Sequence, residues 1–426
     1  MTNAGAFLGS AKSRLLPASI PFRFFAAAAV LHVALWIALM FAADEDFTEF
    51  RGGAGPSLAA VHLLTVGVLV MTAIGAAVQL LPVATARSLA AVWPVKAVYW
   101  LLTPGVIALV AGMYAAHVGL MIGGAAACAA GLLLFAGLFA DNLRRAGSMP
   151  LVRAYGWAAL VSLILLLALG LALSLDDRIG FFNDHGAVAL AHMILGAFGF
   201  MGMLALGFSH VLVPMFALSS APKSRMAQAA LAFAAATVVV AVAGALLGRS
   251  SVLAAACALG FVAVCLHLRL MHVTLATGMR KRLDLSFVLV RVSWAFLALT
   301  PLVGLAAVEG WAGPGGPTLF GLVALGGWLM TFLFGILQRI APFLASMHVT
   351  RSSGGPPLLS DLSASAPLTV HAGCHLAAIA GLAVAIVLDS ATLAALASAV
   401  GLAGALAFAL FMAVILKTVA SGKTRS

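Results

Sequence analysis

A chain of 426 residues that is 64% hydrophobic and only 8% charged, with a mean hydropathy of +1.17, cannot bury its apolar surface against itself in water, so lipid must be part of its solvent. Backbone N–H and C=O groups in a bilayer have to be paired internally, which leaves helices or closed barrels, and apolar runs of about 20 residues without strand-like alternation select helices. The formal charge of +11 is scattered over helix ends and not gathered on one face, which excludes a nucleic-acid surface and points to membrane topology.

The first 20 residues carry Lys12 and Arg14 before Pro17 and no clear cleavage site, and are expected to form a cytoplasmic tail. Apolar runs follow at 21–43, 57–84, 91–113, 115–140, 153–175, 186–217, 226–247, 251–272, 286–307, 317–346, 369–388 and 392–417, predicting about twelve transmembrane helices in one domain over 21–426. Lys and Arg collect on the tail's side: Lys12, Arg14, Arg23, Arg87, Lys96, Arg144, Arg145, Arg153, Lys223, Arg225, Arg280, Lys281, Arg282, Arg351, Lys417, Lys423 and Arg425. Asp44, Glu45, Asp46, Glu49, Asp176, Asp177, Asp184, Glu309 and Asp389 fall on the other side. Both termini are therefore expected in the cytoplasm, and the protein in the cell inner membrane as a multi-pass chain. The four cysteines, Cys128, Cys257, Cys265 and Cys374, lie inside apolar runs, where a disulfide framework has no loops to staple.

An internal repeat runs through the chain. The second run holds Gly67, Gly75 and Pro82, the sixth Gly199, Gly207 and Pro214, the tenth Gly327, Gly335 and Pro342, each spaced Gly-x7-Gly-x6-Pro. The triplets recur at intervals of 132 and 128 residues, room for four helices each. The expected fold is all-α, with three pseudo-threefold four-helix repeats at about 21–140, 153–272 and 286–417. Glycines so spaced share a helix face and let another backbone, or a flat cofactor, come close. Gln79, His210 and Gln338 precede the prolines as a polar layer.

Ionisable groups at membrane depth are costly and mark function, so the 11 histidines are informative. His62 and His192 sit five and seven residues before Gly67 and Gly199, so their heights differ by only about 3 Å. Two imidazoles at one depth on equivalent helices can share a haem iron or a copper ion, or can each hydrogen-bond a nearby carbonyl. In HAGCH, His371 and His375 are one turn apart with Cys374 beside them, a weak metal signal set against a polar helix start near the interface. His185 is read as a surface residue beside Asp184, His117 as interfacial, and His267, His272 and His348 as headgroup-level; His32, midway along the first run, has no partner that sequence can name.

Three four-helix repeats, a histidine near the outer end of the second span and the following Gly-x6-Pro resemble the central subunit of the haem-copper oxidase superfamily. HLLTVGVLVMTAIGAAVQLLP, from His62 to Pro82, is similar to that family's haem-bearing second helix, and FGFMGMLALGFSHVLVP in the sixth span looks like a sister of it. The resemblance implies a haem on the second-span histidine whose other ligand comes from the tenth span. Here that span offers Phe320 and Leu322 at the matching heights, and the seventh span lacks the family's copper-binding histidine pair. Oxygen-reducing or nitric-oxide-reducing activity is therefore not expected. A weaker resemblance, carried by Ile20 to Leu31, is to the NnrS family of haem-containing and copper-containing membrane proteins that respond to nitric oxide stress; its His-x-His-Glu stretch is represented by His62 alone.

The leading expectation is a non-oxidase relative of that scaffold, holding b-type haem, or copper, near the outer face through His62 and His192 with Gly67 and Gly199 beside them, in electron transfer, nitric oxide response or respiratory metabolism. His210, His371, Cys374 and His375 are further metal candidates. Other respiratory membrane subunits or a periplasmic electron carrier are the expected partners. Alternatives are a transporter for a metal ion or small solute, lined by Gln79, His210, Gln338 and the HAGCH segment, and an assembly subunit without a cofactor. No nucleotide loop, nucleophile constellation or paired-carboxylate site supports a hydrolase or kinase.

Overall fold

Among the described residues, twelve helices are long and apolar enough to cross a membrane. In chain order they are α1 Ser19–Ala42, α2 Pro56–Val83, α3 Trp93–Tyr114, α4 Val118–Arg145, α5 Pro150–Ile179, α6 His185–Ala217, α7 Arg225–Leu246, α8 Ser250–Ala276, α9 Leu285–Val308, α10 Gly316–Ser346, α11 Ser365–Val387 and α12 Ala391–Ser421. The structure, a computed structural model, describes residues 16–43, 47–85, 87–89, 91–147, 149–220, 225–279, 284–349, 359–362 and 364–422, and no strand occurs among them. Lys12, Arg14, Lys223, Arg280, Lys281, Arg282, Arg351, Lys423 and Arg425 of the basic side lie outside the described residues, as do Asp44, Glu45 and Asp46 of the acidic side.

Helix ends follow local chemistry. Pro56, Pro94, Pro150 and Pro317 stand in first turns, where their missing N–H costs nothing. Asp184 and Ser390 cap α6 and α12 through the N–H groups of Ala187 and Leu393, and Gly180 ends α5 in the left-handed region at φ 67°. Several helices outrun their apolar stretches. α4 continues through Arg144 and Arg145 and α5 through Asp176 and Asp177, because hydropathy marks the hydrocarbon layer and not the end of the hydrogen-bonded helix.

The three inner spans α2, α6 and α10 are the most buried, and they surround an apolar void of about 70 Å³ lined by residues such as Ala76, Leu204 and Ile336. Each carries a π-helical stretch in an equivalent place, Leu63–Val70, Leu195–Gly202 and Leu322–Met330, and the three stretches touch one another. Long π segments are rare and occur mostly at functional positions.

The repeated glycines seat the first helix of each group of four. A Cβ on Gly67 would meet Leu31 at 3.3 Å and one on Gly75 would meet Phe24 and Phe25 at 2.9 Å, all from α1. Gly199 and Gly207 face Ser162 and Tyr155 of α5, and Gly327 and Gly335 face Phe296, Ser286 and Val290 of α9. The same close approach is thus made three times around the axis.

Candidate functional site

Between α2, α5 and α6, His62 and His192 come together with ring centroids 6.4 Å apart and planes 22° from parallel. His62 Nδ1–H donates to Leu58 O of its own helix at 3.0 Å, and His192 Nδ1–H donates to Leu166 O of α5 at 3.1 Å. Both neutral rings are thereby fixed with an Nε2 lone pair free of any protein hydrogen bond. Gly170 of α5 admits the second ring: a Cβ there would lie 2.9 Å from His192 Cε1. Gly67 and Gly199 are filled by Leu31 and Ser162, so the room they make is taken by helix packing and not by a flat cofactor.

A second cluster joins α1, α10, α11 and α12. His371 and His375 begin six residues into α11 and are fully buried, which corrects their expected place at a polar helix start. His32 of α1 lies 5.8 Å from His371, centroid to centroid, and His371 lies 5.6 Å from His375. The Phe334 ring stands 4.5, 4.7 and 5.7 Å from these three imidazoles. His32 Nε2 accepts from Trp36 Nε1–H at 2.9 Å and His371 Nδ1–H donates to Gly404 O at 3.1 Å. Thr331 Oγ1 donates to Gly326 O at 3.0 Å, so it accepts from His375 Nε2–H at 2.8 Å. His32 Nδ1, His371 Nε2 and His375 Nδ1 are left buried without partners. Cys374 packs its Cβ toward Gly404.

Near the basic ends, His210 of α6 lies 5.8 Å from Tyr155 and 5.7 Å from His267. His267 is 2% exposed, so its ring is packed inside the protein and not open to its surroundings. Among the described residues no three or more His, Cys, Asp or Glu side chains are placed to hold a metal ion, so His210, and His371 with Cys374 and His375, form no such group. Gln79 Oε1 accepts from Leu16 N–H at 3.2 Å, while Gln338 lines a cavity of about 150 Å³ with Asp284, Ser286 and Arg339. His185 Nδ1–H donates to Asp176 Oδ2 at 2.7 Å and its side chain is 45% exposed.

Sequence reasoning missed Gly170, Trp36, Thr331 and Arg339. A basic residue next to Gln338 in an apolar span was a signal for Arg339, which pairs with Asp284, the residue before α9, and donates to Ser286. Nothing local distinguishes Gly170 from other helix glycines.

The course of the twelve helices is that of a known fold. The chain is similar to a solved heme-copper terminal oxidase, determined as a dimer by cryo-EM, with 11% sequence identity and a TM-score of 0.63, covering 96% of this chain and 86% of the oxidase chain. This protein is therefore an all-helical membrane protein with the heme-copper oxidase fold. No family profile and no curated protein matches the sequence.

Proposed function

We propose that this protein is a non-oxidase user of the oxidase fold that holds b-type haem through His62 and His192 at the acid-rich face of an inner membrane, in electron transfer, nitric oxide response or respiratory metabolism. The observation that carries the reading is the 6.4 Å between the two ring centroids. Imidazole–metal bonds of about 2.0–2.1 Å, with roughly 1 Å more from each nitrogen to its ring centre, would let His62 and His192 at that separation hold one metal ion between them.

The surroundings suit that role. Histidines that ligate a metal donate their other N–H to a carbonyl or carboxylate, which fixes the tautomer and raises the basicity of the free nitrogen; Leu58 O and Leu166 O do this here. Gly170 supports the orientation of His192 by leaving its ring space. A haem held there supplies a one-electron iron couple. Two neutral imidazoles also suit copper, which is the alternative occupant. Respiratory membrane subunits or a periplasmic electron carrier are the proposed partners at that face.

The test is an optical spectrum with metal analysis on protein purified in mild detergent. A Soret band that His62→Ala and His192→Ala each abolish, with iron near one per chain, is the expected result. Copper without iron selects the alternative, and neither metal after reconstitution sinks the proposal.

A further inference from the structure

An apolar cavity among the described residues has no histidine in its lining. It is a space of about 300 Å³ lined by α6, α7, α8, α9 and α10 and open on one side. At one end it reaches Leu253 and Pro317, in the first turns of α8 and α10, and Val308, the last residue of α9, at the acid-rich face, and at the other Val264, Leu297 and Trp328. From Leu253 to Val264 is 11 residues of α8, a depth of about 16 Å. Half of a hydrocarbon core is about 15 Å thick, so the space is as deep as one leaflet.

We propose that this cavity holds an acyl chain of a bilayer lipid drawn from the leaflet at the acid-rich face. Its lining contains no Lys, Arg, Asp, Glu or His. The two threonines in the wall are already satisfied: Thr237 donates to Phe233 O and Thr300 to Phe296 O, each at 2.8 Å. Water entering such a space would find no hydrogen-bond partners, and apolar cavities of this kind stay dry. Protein interiors are otherwise close-packed, and an empty space of this size forgoes the dispersion contacts of all its walls. At about 30 Å³ per water-sized group, the volume takes on the order of ten such groups, far more than a diatomic gas and the scale of a hydrocarbon chain. Stacking of Phe198 on Phe320 and Trp328, with centroids 5.8 and 6.0 Å apart, gives the cavity a continuous aromatic wall. No polar group inside would recognise a headgroup, so the chain is what is selected and the polar end of the lipid stays at the exposed Pro317 mouth. Leu190, Met193 and Ile194 of the wall flank His192 in sequence, so a chain in place would back the helix that carries it.

The experiment counts lipids bound to the full-length protein after exhaustive washing in detergent, by native mass spectrometry and lipid extraction. The expected result is one phospholipid per wild-type chain, lost in Ala256→Phe, whose buried side chain lines the cavity, and kept in Ala255→Phe, which faces outward on the same helix. Cys257 also lines the cavity and gives a readout that needs no core substitution. Its reaction with an apolar maleimide should rise at least about tenfold on delipidation and fall again on adding phosphatidylcholine, while exposed Cys265 reacts throughout. Wild-type protein that retains no phospholipid overturns the proposal. So does retention unchanged by Ala256→Phe, Cys257 reactivity indifferent to lipid, or recovery of an isoprenoid amphiphile in place of an acyl lipid.

Discussion

The imidazole of His192 rests against Gly170 so closely that a single added methyl group on the glycine would stand 2.9 Å from Cε1. Gly170→Ala should turn the ring away from Leu166 O and from His62. Displacing the support of a metal-ligating histidine costs about ten- to a hundredfold in metal affinity. The expected outcome is a haem-to-protein ratio that falls sharply in purified Gly170→Ala with the helical circular dichroism retained, and a ratio equal to wild type would separate the glycine from haem binding.

Thr331 is the hinge of the buried histidine cluster, since its hydroxyl passes a hydrogen bond from His375 Nε2–H on to Gly326 O. Thr331→Val keeps the shape and removes the acceptor, leaving a buried N–H without a partner at a cost of about 1–3 kcal/mol. Thr331→Ser keeps the relay and should unfold close to wild type. Reversible unfolding in mixed micelles distinguishes the two.

Gly401 of α12 faces the Trp36 indole, and a Cβ there would sit 2.3 Å from Cδ2 and Cε3 of a rigid, buried ring. Gly401→Ala therefore overpacks the seam between α1 and α12 and should destabilise by about 1–3 kcal/mol. Gly373, with nothing near its missing side chain, is the matched control on α11. Equal melting temperatures for Gly401→Ala and Gly373→Ala would contradict the packing argument.

Asp176 organises the connection from α5 to α6. Its Oδ1 accepts from the N–H groups of Phe181 and Phe182 at 2.6 and 2.7 Å, and its Oδ2 from His185. Asp176→Ala leaves both amides to water, and their hydrogen exchange should accelerate by about ten- to a hundredfold, the equivalent of roughly 1–3 kcal/mol of local opening. Asp176→Asn retains a carbonyl oxygen at the same atom and should protect both amides in large part.

The number of helices and the special status of α2, α6 and α10 were legible because each rests on a signal carried along one strand of sequence: apolar length for the spans, and Gly-x7-Gly-x6-Pro for the inner three. The nearness of His62 and His192 could be reasoned from equal depth on equivalent helices. Other relationships were not legible, since they join distant segments with no periodicity to reveal them. His32 finds Trp36 on its own helix but meets His371 from 339 positions away. His371 and His375 were placed at an interface because the apolar run begins at 369, whereas α11 begins at Ser365 and carries His371 six residues and His375 ten residues beyond its start. The glycines misled in a different way: a missing side chain signals close approach but does not say of what, and Leu31 and Ser162 are the answer at Gly67 and Gly199.

The widened turns at Leu63–Val70, Leu195–Gly202 and Leu322–Met330 set the phase of the helices that contain them. A π turn accommodates extra residues without extra height, so it acts as a rotational offset between the two halves of its helix. Removing one residue from Leu63–Val70 would let ordinary winding return and swing Gln79 and Pro82 by about 100° relative to His62. Because all three inner helices carry the offset at the same level, an unmatched length change in any one of them would put its lower half out of step with the other two. Such changes should be tolerated in the connecting loops and rejected here.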